Sequence, residues 1–155
     1  MYERHWHSDT LEVGAESFNF GDSSISKSRY INVTTAAFGE SRKRYTIWTP
    51  IRSKHSRITR NALRNASEKI GQTPVELRTD HGTEFRKETE EWVRAGPPGS
   101  DGRPACSRRA PRYSPWAVGI EQEVGECKKS CTASMINIPR GVWPAATLYG
   151  ADARN

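Results

Sequence analysis

Short stretches in which apolar and polar residues alternate, separated by clusters of turn-forming residues, dominate the first half of the chain. Alternation with a period of two, rich in β-branched and aromatic residues, is typical of half-buried strands. The pattern predicts strands at 5–13, 29–36, 45–51 and 75–79, and a short fifth strand at 105–109. Since no helix separates the first three strands, we expect them to pair as antiparallel neighbours.

Apolar residues spaced three or four apart predict four helices. The first begins near Ser56 or Thr59, either of which can cap it, and ends at Gly71. The others are predicted at 86–95, 120–135 and 142–153. The residues expected to face inward in the last helix are Trp143, Ala146, Tyr149 and Gly150 or Ala153. This order of elements predicts an α/β fold with a ribonuclease H-like mixed five-stranded sheet flanked by helices.

The length of 155 residues suits one domain, which we assign to 1–155. Glycine, serine, asparagine and proline concentrate at about 14–28 and 96–104, and both segments are predicted to be flexible loops. The apolar fraction is 34% and the mean hydropathy is −0.81. Because little apolar surface is available for burial, we expect a small core and marginal stability.

The charge balance favours a polyanionic partner, because 24 Lys and Arg against 18 Asp and Glu give a net charge of +6. A solvated basic surface explains the same charge equally well. No apolar run approaches a membrane span and no signal peptide precedes the first strand, so a soluble, intracellular protein without a membrane partner is expected. The odd count of cysteines, Cys106, Cys127 and Cys131, predicts reduced thiols.

Asp80 ends a predicted strand and is followed directly by a glycine turn, in the run L-R-T-D-H-G-T-E-F at 77–85. A carboxylate at the end of a strand is held rigidly and suits a hard metal cation. The same pattern also occurs in turns that have only a structural role, and on the local sequence alone this interpretation is favoured over a metal site. Asp9 is a second notable carboxylate, because it lies within a predicted strand.

The run at 77–85 resembles the second-aspartate motif of retroviral and retrotransposon integrase catalytic cores, usually written R-S-D-N-G-T-E-F. Further blocks resemble the same family in the same order. They are W-H-S-D at 6–9, P-I-R-S-K at 50–54, Y-S-P-W-A-V-G-I-E at 113–121, and W-P-A-A at 143–146 followed by Asn155. The resemblance spans nearly the whole chain, and the block near its end is similar to that of Copia-like elements.

The resemblance implies that Asp9, Asp80 and Glu121 are catalytic and bind metal. Hard oxygen ligands favour two Mg²⁺ or Mn²⁺ ions, about 3.5–4 Å apart, which activate the attacking oxygen and stabilise the leaving oxygen of a phosphodiester displacement. The implied activity is DNA 3′-end processing and strand transfer during retrotransposon DNA integration. The implied partners are element ends and target DNA, with a nuclear location if the protein acts on chromosomal DNA. Formation of a homo-oligomer is left open.

The glutamate is the least certain member of this set, since the spacing from Gly119 places the family position on Gln122. We choose Glu121 because a one-residue deletion restores the pattern, and Glu123 is the alternative. His81 and Val118 each replace an asparagine of the family motif. These departures leave open the alternative that the chain is a catalytically inactive remnant that binds nucleic acid.

Basic residues in or near the matching blocks are candidates for contacts to DNA phosphates. The resemblance favours Lys128 and Lys129, because the family presents lysines from its long helix, whereas the helix dipole alone also favours lysines late in a helix. The full set is Lys54, Arg57, Arg60, Arg112, Lys128 and Lys129. Family members carry an upstream zinc-binding domain and a downstream DNA-binding domain, and the sequence is expected to lack both. An RNase H-type nuclease shares the fold but is disfavoured by the blocks around Asp80 and Tyr113.

Overall fold

Five strands and four helices form a mixed α/β fold in the computed structural model, which describes residues 4–23, 25–38, 43–109 and 117–155. The strands are β1 (His5–Glu12), β2 (Tyr30–Phe38), β3 (Lys43–Ile51), β4 (Glu76–Thr79) and β5 (Cys106–Arg109). The helices are α1 (Ser56–Ile70), α2 (Glu88–Arg94), α3 (Ala117–Ser134) and α4 (Trp143–Arg154). Two short 3₁₀ turns, Thr83–Phe85 and Arg140–Val142, precede α2 and α4.

The sheet has the strand order β3-β2-β1-β4-β5. Strand β2 runs antiparallel to both β1 and β3, whereas β4 is parallel to β1 and to β5. The predicted fold class, a mixed five-stranded sheet flanked by helices, is confirmed. Because β1, β4 and β5 are parallel, their carboxyl ends lie at the same edge of the sheet.

Two apolar clusters lie on opposite faces of the sheet. The first joins Trp6 and Leu77 to Leu63 of α1 and Val93 of α2, and all four side chains are buried. The second places strand residues against α3 and α4, and it comprises Ile31, Val33, Trp48, Ile120, Cys127, Trp143 and Ala151. Both faces of the sheet are therefore covered by helices, so the central strands are more buried than the half-buried strands that the alternating pattern predicts.

The N-cap of helix α1 lies one residue before Ser56 and four residues before Thr59, the two predicted caps. His55 is the N-cap, and its Nδ1 accepts a hydrogen bond from the Arg57 N–H at 3.2 Å. The prediction of Ser56 or Thr59 as the cap was wrong, because Ser56 is already helical and its hydroxyl donates to Glu88 instead. The predicted stop is confirmed, since Gly71 takes the left-handed conformation with φ 82°.

Helix α4 differs from the prediction in which side chains face inward. Trp143 and Gly150 are buried as expected, but Tyr149 is 70% exposed and Ala153 is exposed. Thr147 takes an inward position because its hydroxyl donates to the Trp143 carbonyl at 3.0 Å within the same helix. An added Cβ at Gly150 would lie 2.9 Å from the Trp48 ring, so this position accepts only glycine without rearrangement.

Both predicted loops make ordered contacts to the rest of the fold. In the first loop the Ser28 N–H donates to Ser17 Oγ at 2.7 Å, and the Ala15 carbonyl accepts from the Trp143 indole at 2.9 Å. In the second, Arg4 donates to the Pro98 carbonyl at 2.7 Å. The flexibility of these loops stays a prediction. Cys106, Cys127 and Cys131 are free thiols, as predicted.

Candidate functional site

Asp9 lies in the central strand β1, and a buried polar network fixes the backbone around it. The neighbouring Ser8 faces α1, where its hydroxyl pairs with Thr34 Oγ1 at 3.1 Å and accepts from Asn32 Nδ2 at 2.9 Å. Successive side chains of a strand point to opposite faces. Asp9 therefore lies on the other face, with Leu11, which packs against the α3 and α4 cluster.

Asp80 follows the last residue of β4 and closes a tight turn. Its Oδ1 accepts a hydrogen bond from the Gly82 N–H at 2.8 Å, which fixes the direction of the carboxylate. In the parallel register His7 pairs with Arg78, so two residues further along Asp80 comes beside Asp9. The two predicted aspartates are thus neighbours across adjacent strands, at the carboxyl edge of the sheet.

Glu84 is a third carboxylate near this pair, and no role was predicted for it from the sequence. It is only 4% exposed, and its carbonyl accepts a hydrogen bond from the Thr89 hydroxyl at 2.9 Å. Its carboxyl group folds back over Gly82, where an added Cβ would lie 2.7 Å from Glu84 Cδ. A glycine two residues before a glutamate was the only sequence signal, and such a pair is too common to be specific.

The pKa of Asp9 is raised from 3.8 to about 6, chiefly by burial and in addition by the negative charges of Asp80 and Glu84. The Thr10 N–H, which donates to Asp9 Oδ1 at 2.8 Å, and the positive charge of Lys54 oppose the shift. The site therefore concentrates negative charge that the protein compensates only in part. A divalent cation would relieve that repulsion.

The two glutamates proposed for the third position differ in environment. Glu121 is exposed near the start of α3, whereas Glu123 is 6% exposed and its charge acts on the Cys127 thiol. Within the described ranges, no group of three or more His, Cys, Asp or Glu side chains is arranged to hold a metal ion. Asp9 and Asp80 fit a cation by their chemistry and position, and the catalytic and metal-binding roles of Asp9, Asp80 and Glu121 stay predictions.

The basic candidates are spread over different parts of the structure. Lys54 lies over the Tyr30 ring at 5.5 Å and is close enough to Asp9 to affect its carboxyl. Lys129 is exposed and lies 3.9 Å from Glu126, while Lys128 borders a cavity of about 210 Å³ between α3 and the end of β1. Arg112 lies outside the described residues. Contact of any of these with DNA stays a prediction.

We expect Glu84→Gln to lower the pKa of Asp9 from about 6 toward its ordinary value, because one of its two negative neighbours is removed. A carboxyl carbon NMR titration measures the shift. Because the folded pKa lies above 3.8, Asp9 destabilises the fold above pH 6, and this effect is relieved as the pH falls from about 6 to 3.8. The exposed Glu91 of α2 supplies the matched control, since Glu91→Gln should leave the Asp9 titration unchanged. Equal titrations in both variants would contradict the placement of Glu84.

Comparison with known structures places the fold. No family model matches the chain, and a comparison with curated proteins finds no similar sequence. The catalytic core domain of BIV integrase superposes with a TM-score of 0.60 at 14% identity, over 97% of this chain and 82% of that one. The HTLV-2 integrase catalytic core domain, in a trimeric form with magnesium, gives 0.58 at 15% identity, over 95% and 81%.

The strand order and the pairing directions define a mixed five-stranded α/β fold, and Asp9 and Asp80 lie at the carboxyl edge of its parallel strands. Within that class, the chain has the fold of retroviral integrase catalytic core domains. Across 4–23, 25–38, 43–109 and 117–155, no helix combines the length and the apolar character needed to cross a bilayer.

Proposed function

We propose that the chain is an integrase-type polynucleotidyl transferase core, which processes DNA 3′ ends and joins them to target DNA during retrotransposon integration. The observation that carries this proposal is that Asp9 and Asp80 are neighbours where the adjacent parallel strands β1 and β4 end, and the charge of Asp80 contributes to the raised pKa of Asp9. The integrase core fold and the ordered sequence blocks support the same assignment. The fold alone does not carry it, since one fold hosts many functions.

Asp9 and Asp80 would hold the divalent cations, and Glu121 would complete the set from α3. The HTLV-2 core was determined in complex with magnesium, which supports Mg²⁺ as the ion. We propose two ions because in-line phosphodiester displacement in two-metal sites uses one ion for each of the attacking and leaving oxygens. When bound, such ions supply charge neutralisation and an activated oxygen for in-line displacement. Glu121 is preferred to Glu123 because its side chain is exposed, whereas Glu123 is buried beside Cys127.

Backbone N–H groups of the chain hold both aspartate carboxylates in position. The Gly82 N–H holds the Asp80 carboxylate and the Thr10 N–H holds that of Asp9, so neither needs to reorganise when a cation arrives. Above pH 6 Asp9 is ionised and able to act as a ligand. Lys54, Lys128, Lys129 and Arg112 would position the DNA through its phosphates.

Two further assignments follow from this function. An integrase core that acts on chromosomal DNA works in the nucleus, and we propose that location. The HTLV-2 core is described in a trimeric form, and we propose that this chain also self-associates when it engages two DNA ends.

A degenerate remnant that binds nucleic acid without catalysis is the second candidate. The absence, among the described residues, of a group of three His, Cys, Asp or Glu side chains that could hold a metal ion favours it. The changes at His81 and Val118 relative to the family motif point the same way.

Incubation with Mn²⁺ or Mg²⁺, duplex DNA carrying the element's ends, and a supercoiled target plasmid separates the two candidates. The integrase proposal expects metal-dependent shortening of the 3′ end and joined products, both of which chelation with EDTA abolishes. Salt-dependent DNA binding without metal-dependent cleavage at any pH above 6 would select the remnant instead.

A further inference from the structure

A cluster of charged side chains occupies the sheet face beside Asp9, at the start of β4 and β5. The Glu76 carboxylate is nearly buried and joins three basic groups. Its Oε2 lies 2.7 Å from Arg78 Nε and 3.7 Å from His5 Nδ1, and its Oε1 lies 2.7 Å from Arg108 Nε. We call Glu76, Arg78, Arg108 and His5 the arginine cluster.

The arginine cluster brings together two like charges on adjacent strands. Arg78 and Arg108 are direct register partners in the parallel pair of β4 and β5. Like charges directly opposite each other destabilise a sheet, and Glu76 places one carboxylate oxygen on each of the two guanidinium groups. Such a local conflict within a strand pair is typical of a functional position.

We propose that the arginine cluster binds the phosphodiester backbone of DNA beside the Asp9 and Asp80 carboxylates. This rests on the proposed function for the identity of the polyanion. A guanidinium has five N–H donors, and the ion pair with Glu76 uses Nε of Arg108 while more than half of the side chain is exposed, at 56%. Glu76 thereby fixes the orientation of a group suited to bidentate phosphate contact. Arg78 lies two residues before Asp80, which is roughly 6.6 Å along the direction of β4, so a DNA strand bound here reaches the carboxylates.

Fluorescence anisotropy with a labelled DNA duplex in EDTA tests the proposal without any catalytic step. We expect Arg108→Gln to weaken binding several-fold and to reduce the slope of log K against log salt by about 0.9, the value for one lost phosphate contact. The matched control is Arg94→Gln. Arg94 is 68% exposed on α2, on the opposite face of the sheet, and pairs with Glu90 at 3.8 Å. Equal affinity and equal slope in the two variants would overturn the proposal.

Glu76→Gln separates an oriented site from general attraction to a basic protein. The change makes the protein more positive, so general attraction predicts tighter binding, whereas loss of the carboxylate that orients Arg108 predicts weaker binding. Circular dichroism shows whether each variant is folded. If Glu76→Gln does not fold, the binding measured for Arg108→Gln tests the proposal by itself. Because the assay contains no metal, loss of binding in Arg108→Gln is read independently of whether the wild-type protein joins DNA.

Discussion

Replacing Asp80 with asparagine should abolish metal-dependent DNA joining while the fold remains intact. Asparagine keeps an oxygen at the position that accepts the Gly82 N–H, so the turn after β4 is preserved. What is lost is the negative charge beside Asp9, which the proposed cation requires. Removing a residue that merely supports a metal ligand already costs about 10- to 100-fold, so loss of a direct ligand should reduce joining by at least about 100-fold.

Asp101→Asn is the control for this experiment, because it makes the same chemical change in an exposed loop where Asp101 pairs with Arg103. Joining assays with Mn²⁺ and a calorimetric titration of Mn²⁺ should both distinguish the two variants. An Asp80→Asn protein that joins DNA at the control rate would remove Asp80 from the mechanism. Glu121→Gln and Glu123→Gln in the same assay identify which glutamate of α3 contributes.

The sequence predicted the strands well because their periodicity reports burial directly. The first strand was expected at 5–13 and is His5–Glu12, and the fourth was expected at 75–79 and is Glu76–Thr79. Asp9 and Asp80 were singled out for their positions in these strands and in the matching motifs. Their adjacency follows from the parallel pairing of β1 and β4, which the predicted fold class already contained.

The remaining features depend on contacts between distant segments, which local patterns do not encode. Glu84 acts on Asp9 only because the turn after β4 folds its carboxyl over Gly82. The arginine cluster arises from the register of β1, β4 and β5, and a shift of one residue in any strand would turn its side chains to the other face. Tyr149 was misplaced because Thr147, a polar residue, occupies the inward position by bonding within its own helix.

The apolar cluster around Trp6 packs against β1, the strand that carries Asp9, and contributes to the stability of the fold. Trp6 is fully buried three residues before Asp9, and it packs in the cluster that joins α1 and α2 to the sheet. Truncating a buried tryptophan typically costs about 3–5 kcal/mol. Because domains are stable by only about 5–15 kcal/mol and this chain is just 34% apolar, that cost takes a large part of the total.

Trp6→Ala should therefore lower the free energy of unfolding by about 3–5 kcal/mol, measured by urea denaturation. Trp6→Phe should cost much less, since the Trp6 indole N–H is buried without a hydrogen-bond partner in the described part of the chain, and phenylalanine removes that unsatisfied donor. Tyr149→Ala is the aromatic control. Because Tyr149 is 70% exposed, we expect a change within about 0.5 kcal/mol. If Trp6→Ala were as stable as Tyr149→Ala, the α1 face of the sheet would not be the core that holds the β1 strand, and with it Asp9, in place.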